Sequence, residues 1–294
     1  MADSSYSAAS LFGVKDLVAV ITGGGSGLGA IAAHALVANG AKAVYILGRR
    51  KEALVQTQET STNPHVVHPF ICDVTSKDSL TAAVERIRSE TGYIDVLFAN
   101  SGICRAGTLP LDSNDDIGTI QSKLWGLEMG AFTGDFHVNV SGAYFTAIAF
   151  LDLLDQGNKR AVVAPKSQIV ITSSAGAYSR QPFSGLAYGA SKAAVGHVTK
   201  QLSTTLAPYK IRVNAIAPGF FMSEMSQNLP FMKTGRDPRE EGTLDRKLVP
   251  LERIGTEQEY AGIVLFLTSK AGGYLDGNII LADGGAVALI PGSY

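Results

Sequence analysis

The sequence predicts a single α/β domain in which helices cover both faces of a doubly wound parallel sheet. Short apolar runs, which suit buried strands, alternate with helical patterns along the chain. The strands are predicted at 17–21, 43–47, 66–71, 94–98, 168–172, 211–216 and 278–281. Regular alternation of strand and helix implies a parallel sheet. No internal repeat or linker divides the sequence, so residues 1–294 are treated as one domain.

Local end signals place several of the helices. Asn39-Gly40 ends a short helix that begins near Ala30. Ser76 is expected to cap the helix after the third strand. Thr256-Glu257-Gln258-Glu259 has the pattern of a capping box, in which the Thr and Glu side chains each accept a hydrogen bond from a backbone N–H group. Two longer helices are predicted at 135–154 and 187–206.

Three parts of the chain lack a regular pattern. Residues 1–14 form an N-terminal extension before the first strand. Residues 104–132 make a long connection in which the sequence does not place any helix. Residues from about 221 to 250 contain Pro230 and Pro238 together with glycines, a composition that is typical of a mobile loop.

The composition argues against several classes of protein. With 46% hydrophobic and 17% charged residues, the chain can bury a large core. A net charge of −1 argues against a partner that is a nucleic acid or an anionic membrane. The two cysteines, Cys72 and Cys104, provide neither a disulfide framework nor the spacing of metal ligands, so no metal is expected.

No segment has the character of a membrane or export signal. The N-terminus lacks the basic region followed by an apolar region that marks a signal peptide. Residues 17–41 carry no Lys, Arg, Asp or Glu, but the glycines at 23–27 make this stretch a poor membrane-spanning helix. We therefore expect a soluble cytoplasmic protein.

A glycine-rich loop follows the first strand directly. Residues 22–29 read Thr-Gly-Gly-Gly-Ser-Gly-Leu-Gly and lead into a helix. A helix N-terminus offers unpaired N–H groups and a partial positive charge, and glycines allow a pyrophosphate to approach the backbone. No Gly-Lys-Ser/Thr follows, which excludes a Walker loop. The loop predicts dinucleotide binding; the alternative is a turn that only tightens packing.

The end of the second strand bears on the choice of dinucleotide. Dinucleotide folds usually carry an acidic residue about 20 residues after the glycine loop, where it binds the ribose 2′-hydroxyl. Here the chain reads Gly48-Arg49-Arg50, with no acid. Two guanidinium groups can clamp a 2′-phosphate, which predicts NADP(H) rather than NAD(H). The alternative is a solvated basic pair at the start of a helix.

Tyr188 and Lys192 are four residues apart in the predicted helix at 187–206, so they share one face. A nearby ammonium favours the phenolate, and the pKa of Tyr188 is therefore expected to fall from about 10 toward the working pH. A phenol tuned in this way can donate or accept a proton in a reaction. The alternative is a Lys side chain that merely packs on an aromatic ring.

Together these motifs resemble those of the short-chain dehydrogenase/reductases from about residue 17 to residue 285. The matching positions, in the family's order, are Thr22-Gly23-x-x-x-Gly27-x-Gly29, Asp73, Asn100-x-Gly102, Asn139, Ser174, Tyr188-x-x-x-Lys192, Pro218-Gly219 and Asp283-Gly284-Gly285. The C-terminal half is most similar to the 3-oxoacyl-carrier-protein reductase branch. The resemblance implies a Rossmann fold and an enzyme that uses a nicotinamide cofactor.

The resemblance also implies catalytic roles. Tyr188 would be the general acid that protonates the substrate oxygen, and Ser174 would hydrogen-bond that oxygen. Lys192 would hold the nicotinamide ribose and lower the pKa of Tyr188. Asn139 would hold a water that relays protons to Lys192.

Contacts with NADP(H) are implied in the same way. Asp73 would contact the adenine and Asn100 the region of the adenosine ribose. Phe221 and Ser223 would lie along the nicotinamide and its carboxamide. The remaining expected contacts belong to the glycine loop, the strand ends and the catalytic pair: Gly23, Ser26, Gly27, Leu28, Gly29, Arg49, Arg50, Val74, Gly102, Tyr188, Lys192, Pro218 and Gly219.

Two neighbouring serines compete for the catalytic position. Counting along the fifth strand from Gln168 selects Ser174, whereas counting back from Gly176 selects Ser173. We favour Ser174, because strand register tolerates less change than the loop that follows it.

The substrate is less readable than the reaction. The resemblance implies a ketone or the matching secondary alcohol, and a homodimer or homotetramer. The pocket walls are expected from 104–132, from 175–185 and from the loop at about 221–250, which would lie on the substrate side. Their large side chains, which favour an apolar or aromatic ketone, are Trp125, Tyr178, Phe183, Phe220, Phe221, Phe231 and Met232. The alternatives are packing of these side chains within loops or interfaces, a dehydration or isomerisation at the same site, and a catalytically silent nucleotide-binding module.

Overall fold

The computed structural model describes residues 4–105, 111–112, 114–181, 185–227, 229–233 and 235–293. Within these residues, all predicted strands form and join one seven-stranded sheet. The strands are β1 (Val18–Thr22), β2 (Ala43–Gly48), β3 (Val67–Ile71), β4 (Val96–Ala99), β5 (Gln168–Thr172), β6 (Arg212–Pro218) and β7 (Ile279–Ala282). All neighbours pair in parallel, in the order β3-β2-β1-β4-β5-β6-β7. The doubly wound α/β fold is confirmed.

Helices connect the strands. They are α1 (Ala8–Phe12), α2 (Gly27–Ala38), α3 (Lys51–Glu59), α4 (Lys77–Glu90), α5 (Ile117–Trp125), α6 (Met129–Phe136), α7 (Ala143–Ala149), α8 (Leu151–Arg160), α9 (Leu186–Leu206) and α10 (Glu257–Thr268). The predicted cap of α4 is present, because the Ser76 side chain accepts a hydrogen bond from the N–H of Ser79. The helix α2 begins at Gly27, earlier than expected, so the last glycines of the loop belong to its first turn.

The core lies on both faces of the sheet. Alternate residues of β1 point to opposite faces: Val18 and Val20 join one buried cluster, and Ala19 and Ile21 join the other. The first cluster is completed by side chains of α4, α7 and α9, and the second by side chains of α2 and α10. Burial on both faces explains why the strands read as continuous apolar runs rather than as alternating patterns.

The predicted single helix at 135–154 is wrong, because it contains a π-helical turn and ends at a break at Phe150. Between α6 and α7, residues His137–Gly142 form a π-helical turn that contains Asn139. The break at Phe150 separates α7 from α8, and the axis bends by 45°. Apolar periodicity does not distinguish a π turn from α-helix, and such turns often occur at functional sites.

Among the described residues, no single helix is long and apolar enough to cross a membrane. The segments Met129–Ala149 and Leu151–Arg160 meet the criteria of length and composition only when they are taken together across their bend.

The irregular regions are packed. The N-terminal extension contains α1, which Ser7 caps, and Val14 is buried. The long connection contains α5 and the start of α6. The loop after β6 has its own apolar cluster around Met232, Leu244 and Val249, and its mobility stays a prediction.

The capping box at α10 gives a direct test of local stability. The Thr256 hydroxyl accepts from the N–H of Glu259 at 3.2 Å, and the Glu259 carboxylate accepts from the N–H of Thr256 at 2.8 Å. Thr256→Ala should lower the free energy of unfolding by about 1 kcal/mol, measured by urea denaturation, because a helix N–H group loses its partner. Thr256→Ser is the matched control and should retain most of that stability; an equal loss in both variants would contradict the role of the hydroxyl.

Candidate active site

A cleft of about 540 Å³ opens at the carboxyl ends of the strands. It lies where the strand order reverses between β1 and β4, the usual ligand position in doubly wound sheets. All the residues expected to contact NADP(H) line it except Gly29. Ser174, Tyr188 and Lys192 line it as well, whereas Asn139 lies behind its wall. The structure therefore brings the sequence motifs together in one cavity.

The glycine loop has the geometry of an anion cradle. Gly23 and Gly27 have positive φ values of +67° and +52°, which other residues rarely adopt. Gly29 has a different role, because a Cβ there would lie 2.2 Å from the carbonyl oxygen of Gly23. Close packing of α2 on the loop therefore requires a glycine here, while the other two glycines shape the turn; the contact of Gly29 with the cofactor stays a prediction.

Asn100 joins three strand ends. Its amide donates to the carbonyl oxygen of Thr22 at 3.2 Å, and its Oδ1 accepts from the Thr172 hydroxyl at 2.9 Å. The Thr22 hydroxyl in turn accepts from the backbone N–H groups of Asn100 and Ser101. The side chain of Asn100 therefore holds β1, β4 and β5 in register at the floor of the cleft, in addition to lining it.

Asp73 and Val74 line the cleft at the end of β3. The Asp73 carboxylate accepts from the N–H and the hydroxyl of Thr75, at 2.9 and 2.7 Å. These hydrogen bonds hold the pKa of Asp73 below its usual range. The carboxylate is thus charged and held in a fixed direction at this end of the cleft.

The two arginines predicted as a phosphate clamp have different environments. The Arg50 guanidinium donates to both carboxylate oxygens of Glu224, at 2.9 and 2.8 Å, and to the Ser26 hydroxyl at 3.1 Å. Arg49 forms none of the hydrogen bonds or ion pairs found among the described residues, although its charge acts on Asp73. Arg49 is the guanidinium that remains open to a ligand.

The predicted catalytic pair is present and buried. The Lys192 ammonium donates to the carbonyl oxygen of Thr172 at 2.7 Å and lies 5.8 Å from the centroid of the Tyr188 ring. The Ser174 hydroxyl acts on the Tyr188 phenol and tends to lower its pKa. In contrast, the hydroxyl of Ser173 donates to the carbonyl oxygen of Lys192 at 2.9 Å. Of the two candidate serines, Ser174 is the one whose hydroxyl meets the phenol.

The expected fall in the pKa of Tyr188 is wrong for this chain. Burial raises the pKa of Tyr188 to about 12, against the opposing effect of the Ser174 hydrogen bond. Burial also lowers the pKa of Lys192 to about 8, while the charge of Asp135 acts to raise it. Desolvation disfavours the charged form of both groups, and this outweighs the attraction between ammonium and phenolate that the helix spacing suggested.

Asn139 and Asp135 attach the segment after β4 to the helix behind it. The Asn139 side chain accepts from the N–H of Ile103 at 2.8 Å and donates to its carbonyl oxygen at 2.9 Å. The second amide hydrogen goes to the Ser191 hydroxyl. One turn earlier, the fully buried carboxylate of Asp135 accepts from the N–H of Arg105 at 2.8 Å. Its charge acts to raise the pKa of both Tyr188 and Lys192.

Sequence reasoning missed Asp135, although an acidic residue one turn before Asn139 in an apolar helix is a visible signal. It also missed the C-terminal segment, where Ala286, Val287 and Ile290 line the cleft. The N–H of Ser293 donates to the carbonyl oxygen of Tyr178, which holds this segment at the edge of the cleft. An apolar run after the last strand was the only sequence signal for it.

The expected pocket walls need correction. Trp125 is 88% exposed and does not line the cleft. Phe231 and Met232 pack into the apolar cluster of the loop after β6, and Tyr178 does not line the cleft. Phe220 and Phe221 do line it, and Phe183 lies outside the described residues.

Phe221 and Ser223 are also engaged within the protein. The Phe221 ring packs edge-on against Tyr260, with centroids 5.7 Å apart, and a Cβ at Gly255 would lie 2.3 Å from it. The Ser223 hydroxyl lies 3.1 Å from that of Ser226. Both residues border the cleft, but their main contacts hold the turn after β6 in place.

The protein is a doubly wound α/β domain whose glycine loop is of the kind that binds nucleotides. The family model described as enoyl-(acyl carrier protein) reductase matches residues 23–287. The chain is 44% identical over 290 residues to the short-chain dehydrogenase/reductase PhomF of Diaporthe leptostromiformis, covering 99% of this chain and 98% of PhomF. The chain therefore belongs to the short-chain dehydrogenase/reductase family of oxidoreductases.

Solved structures agree with this assignment. The RhlG/NADP complex of Pseudomonas aeruginosa superposes with a TM-score of 0.76 at 25% identity, over 94% of this chain and 98% of RhlG. A 3-ketoacyl-(acyl-carrier-protein) reductase from Brucella melitensis, complexed with NADH, has a TM-score of 0.75 at 26% identity, over 93% and 99% of the two chains.

The buried ammonium should make the wild-type protein less stable than a variant without it. Burial holds the pKa of Lys192 at about 8, below the 10.5 of an exposed lysine. The folded state therefore disfavours the protonated form, at a cost that is complete below pH 8 and disappears as the pH rises through 10.5. Lys192→Met should raise the free energy of unfolding at pH 7, by up to about 3 kcal/mol, and much less at about pH 10.

Urea denaturation at the two pH values measures this difference. The matched control is Lys200→Met at an exposed position two turns further along α9, where removing the ammonium relieves no burial. The prediction would be contradicted if Lys192→Met had a lower free energy of unfolding than wild type at neutral pH and the difference became more favourable in alkaline solution.

Proposed function

We propose that this chain is an NADP(H)-dependent oxidoreductase that reduces a ketone, or oxidises the matching secondary alcohol, with Tyr188 as the general acid or base. One observation carries the proposal. The Tyr188 phenol, close to the Lys192 ammonium, lines the same cleft as Ser174 and the glycine cradle. A cradle for a dinucleotide beside a proton donor is the arrangement that carbonyl reduction requires.

The residues fit a nicotinamide dinucleotide. Gly23 and Gly27 leave the loop free of side chains where a pyrophosphate would approach the N-terminus of α2. RhlG and the Brucella reductase are complexes with NADP and NADH respectively, so the family accepts both dinucleotides. The choice of NADP(H) rests on Arg49, whose guanidinium would bind the 2′-phosphate. When bound, the nicotinamide would supply or accept the hydride.

The protein's own groups would handle the proton. Ser174 and Tyr188 would both hydrogen-bond the carbonyl oxygen of the substrate, and Tyr188 would donate its Oη proton to that oxygen. Because its pKa is raised to about 12, the phenol is protonated at neutral pH and ready to act as an acid. The resulting phenolate would be stabilised by the hydrogen bond from Ser174 and by the ammonium of Lys192. A water held near Asn139 would return the proton through Lys192.

The raised pKa of Tyr188 also gives the two directions of the reaction different dependences on pH. Oxidation of an alcohol requires Tyr188 to accept a proton, and a phenol with a pKa near 12 is almost entirely in the protonated form at neutral pH, which cannot accept one. Reduction requires the protonated form, which is fully populated. The rate of reduction should therefore be at its full value at neutral pH, whereas the rate of oxidation should rise as the solution becomes alkaline.

The cleft walls favour an apolar substrate. Beyond the glycine loop and the predicted catalytic group, the apolar side chains that line the cleft include Ile103, Phe220, Leu229, Leu248, Val287 and Ile290. Contact with such side chains favours ketones with apolar substituents, while Ser174 and Tyr188 fix the position of the carbonyl. Assembly into a homodimer or homotetramer and a cytoplasmic location are part of the same proposal.

Removal of the phenolic hydroxyl tests the mechanism. Tyr188→Phe should lower kcat by about 100-fold or more with a panel of apolar ketones, because proton transfer by a positioned acid contributes on this scale. The dissociation constant for NADPH, measured by fluorescence titration, should change only slightly. The control is Tyr178→Phe, which removes a phenol that does not line the cleft. Turnover near wild type in Tyr188→Phe would exclude Tyr188 as the acid.

Substitution of Arg49 tests the choice of cofactor. Arg49→Ala should weaken NADPH binding about tenfold and leave NADH binding nearly unchanged, because only NADPH carries the 2′-phosphate. Dissociation constants for both dinucleotides provide the measurement. An unchanged preference for NADPH over NADH would contradict the assignment of Arg49.

A further inference from the structure

The turn after β6 crosses the cleft and lies on the glycine loop. Glu224 on this turn meets Arg50 at the end of β2, 174 residues away in sequence. In the sheet, β1, β4 and β5 separate β2 from β6. A Cβ at Gly27 would lie 3.3 Å from the Cβ of Ser223, so the turn leaves little room for a side chain at this point of the loop that would hold the pyrophosphate.

This turn is stiff in itself. Ser223 and Ser226 exchange hydrogen bonds: each backbone N–H donates to the hydroxyl of the other residue, at 3.0 and 3.2 Å. The Ser226 hydroxyl also donates to the carbonyl oxygen of Phe221 at 2.6 Å. At its start the turn is anchored by the Phe221 ring against Tyr260. Residues 223–226 therefore have a defined shape that is fixed to the substrate side of the cleft.

The ion pair between Arg50 and Glu224 connects the two sides of the cleft. The Arg50 guanidinium binds both oxygens of Glu224 and also the hydroxyl of Ser26 in the glycine loop. Such forked pairs are specific in geometry. Both side chains are more than half exposed, at 59% and 56%, so water and salt weaken the pair. An ion pair of this kind changes the ratio of closed to open turn only a few-fold, so the turn can still open.

We propose that Arg50 and Glu224 form a reversible clasp, which holds residues 223–226 over the glycine loop and opens when a dinucleotide enters or leaves. This inference rests on the proposed function only in assuming that the cleft binds a dinucleotide. Glu224 is a positioning residue: it acts through the turn and takes no part in proton transfer. Arg50 then forms the ion pair with Glu224, and Arg49 alone binds the 2′-phosphate.

The clasp makes no contact that depends on the 2′-phosphate. Weakening it should therefore affect NADPH and NADH alike, whereas loss of Arg49 affects NADPH alone. A weaker clasp should increase the dissociation rates of both dinucleotides, because the closed turn covers the glycine loop that would bind them. High salt should increase the rates for the wild type and have little further effect once the pair has been removed.

Stopped-flow displacement measures these rates for the full chain. Glu224→Gln should release NADPH and NADH about two to five times faster than wild type at low salt, the range that an exposed ion pair supports. In the same loop, Glu240 forms an exposed ion pair with Arg236, at 3.7 Å, and lines no part of the cleft. Glu240→Gln is therefore the matched control and should release both dinucleotides at the wild-type rate.

Charge exchange tests whether the two residues act as a pair. Arg50→Glu should accelerate NADH release as Glu224→Arg does, and the double variant Arg50→Glu/Glu224→Arg should recover most of the wild-type rate. Additive effects in the double variant, or an effect of Glu224→Gln on NADPH alone, would overturn the clasp. Wild-type protein that binds neither dinucleotide would overturn both the clasp and the proposed function.

A measurement without ligand separates the clasp from the function. Amide hydrogen exchange of a peptide covering residues 223–226 should be faster in Glu224→Gln than in wild type or Glu240→Gln, at equal thermal stability. Unchanged exchange together with unchanged release rates would leave no role for the pair, even if NADPH-dependent reduction is established.

Discussion

One hydrogen-bond network at the ends of β1, β4 and β5 sets the geometry of the whole cleft. Asn100 links the carbonyl of Thr22, directly before the glycine loop, to the hydroxyl of Thr172. The carbonyl of Thr172 in turn accepts from the Lys192 ammonium. The glycine loop and Lys192 are thus connected by hydrogen bonds to the backbone at the carboxyl ends of these strands. The hydrogen bonds of Asn100 are partly buried and that of Lys192 is fully buried, so the loss of one would leave a polar group poorly satisfied. The network therefore keeps the glycine loop and Lys192 at a fixed distance.

Burial, rather than the pairing of charges, determines the electrostatics of the predicted catalytic group, Tyr188 and Lys192. Tyr188 and Lys192 both lose hydration, and their pKa values move toward the neutral forms, to about 12 and about 8. The same desolvation strengthens every remaining interaction in the cleft. Asp135, fully buried one turn before Asn139, partly restores the charge of the ammonium, because its own charge acts to raise the pKa of Lys192. The site therefore holds a proton donor ready at neutral pH, at the cost of a destabilised ammonium.

Local features could be predicted from the sequence, and features that depend on distant contacts could not. The strands, the glycine loop and the capping box at Thr256 follow from neighbouring residues, and all formed as expected. The π turn around Asn139 reads as ordinary helix. The direction of the pKa shift of Tyr188 depends on how deeply the fold buries it, which spacing along a helix does not reveal. The wall at Val287 and Ile290 arises because the chain end returns to Tyr178.

Arg49 and Arg50 show how two adjacent identical residues acquire different roles. The sequence predicts one clamp of two guanidiniums, but the second is occupied by Glu224 and Ser26. Recognition of a 2′-phosphate would then rest on Arg49 alone, close enough to Asp73 for each charge to act on the other. Because Thr75 keeps that carboxylate ionised, the field of Arg49 is partly cancelled before any ligand arrives. A single exposed guanidinium with a nearby anion supplies about 1.4 kcal/mol, or roughly tenfold discrimination, rather than the larger ratio of a forked pair.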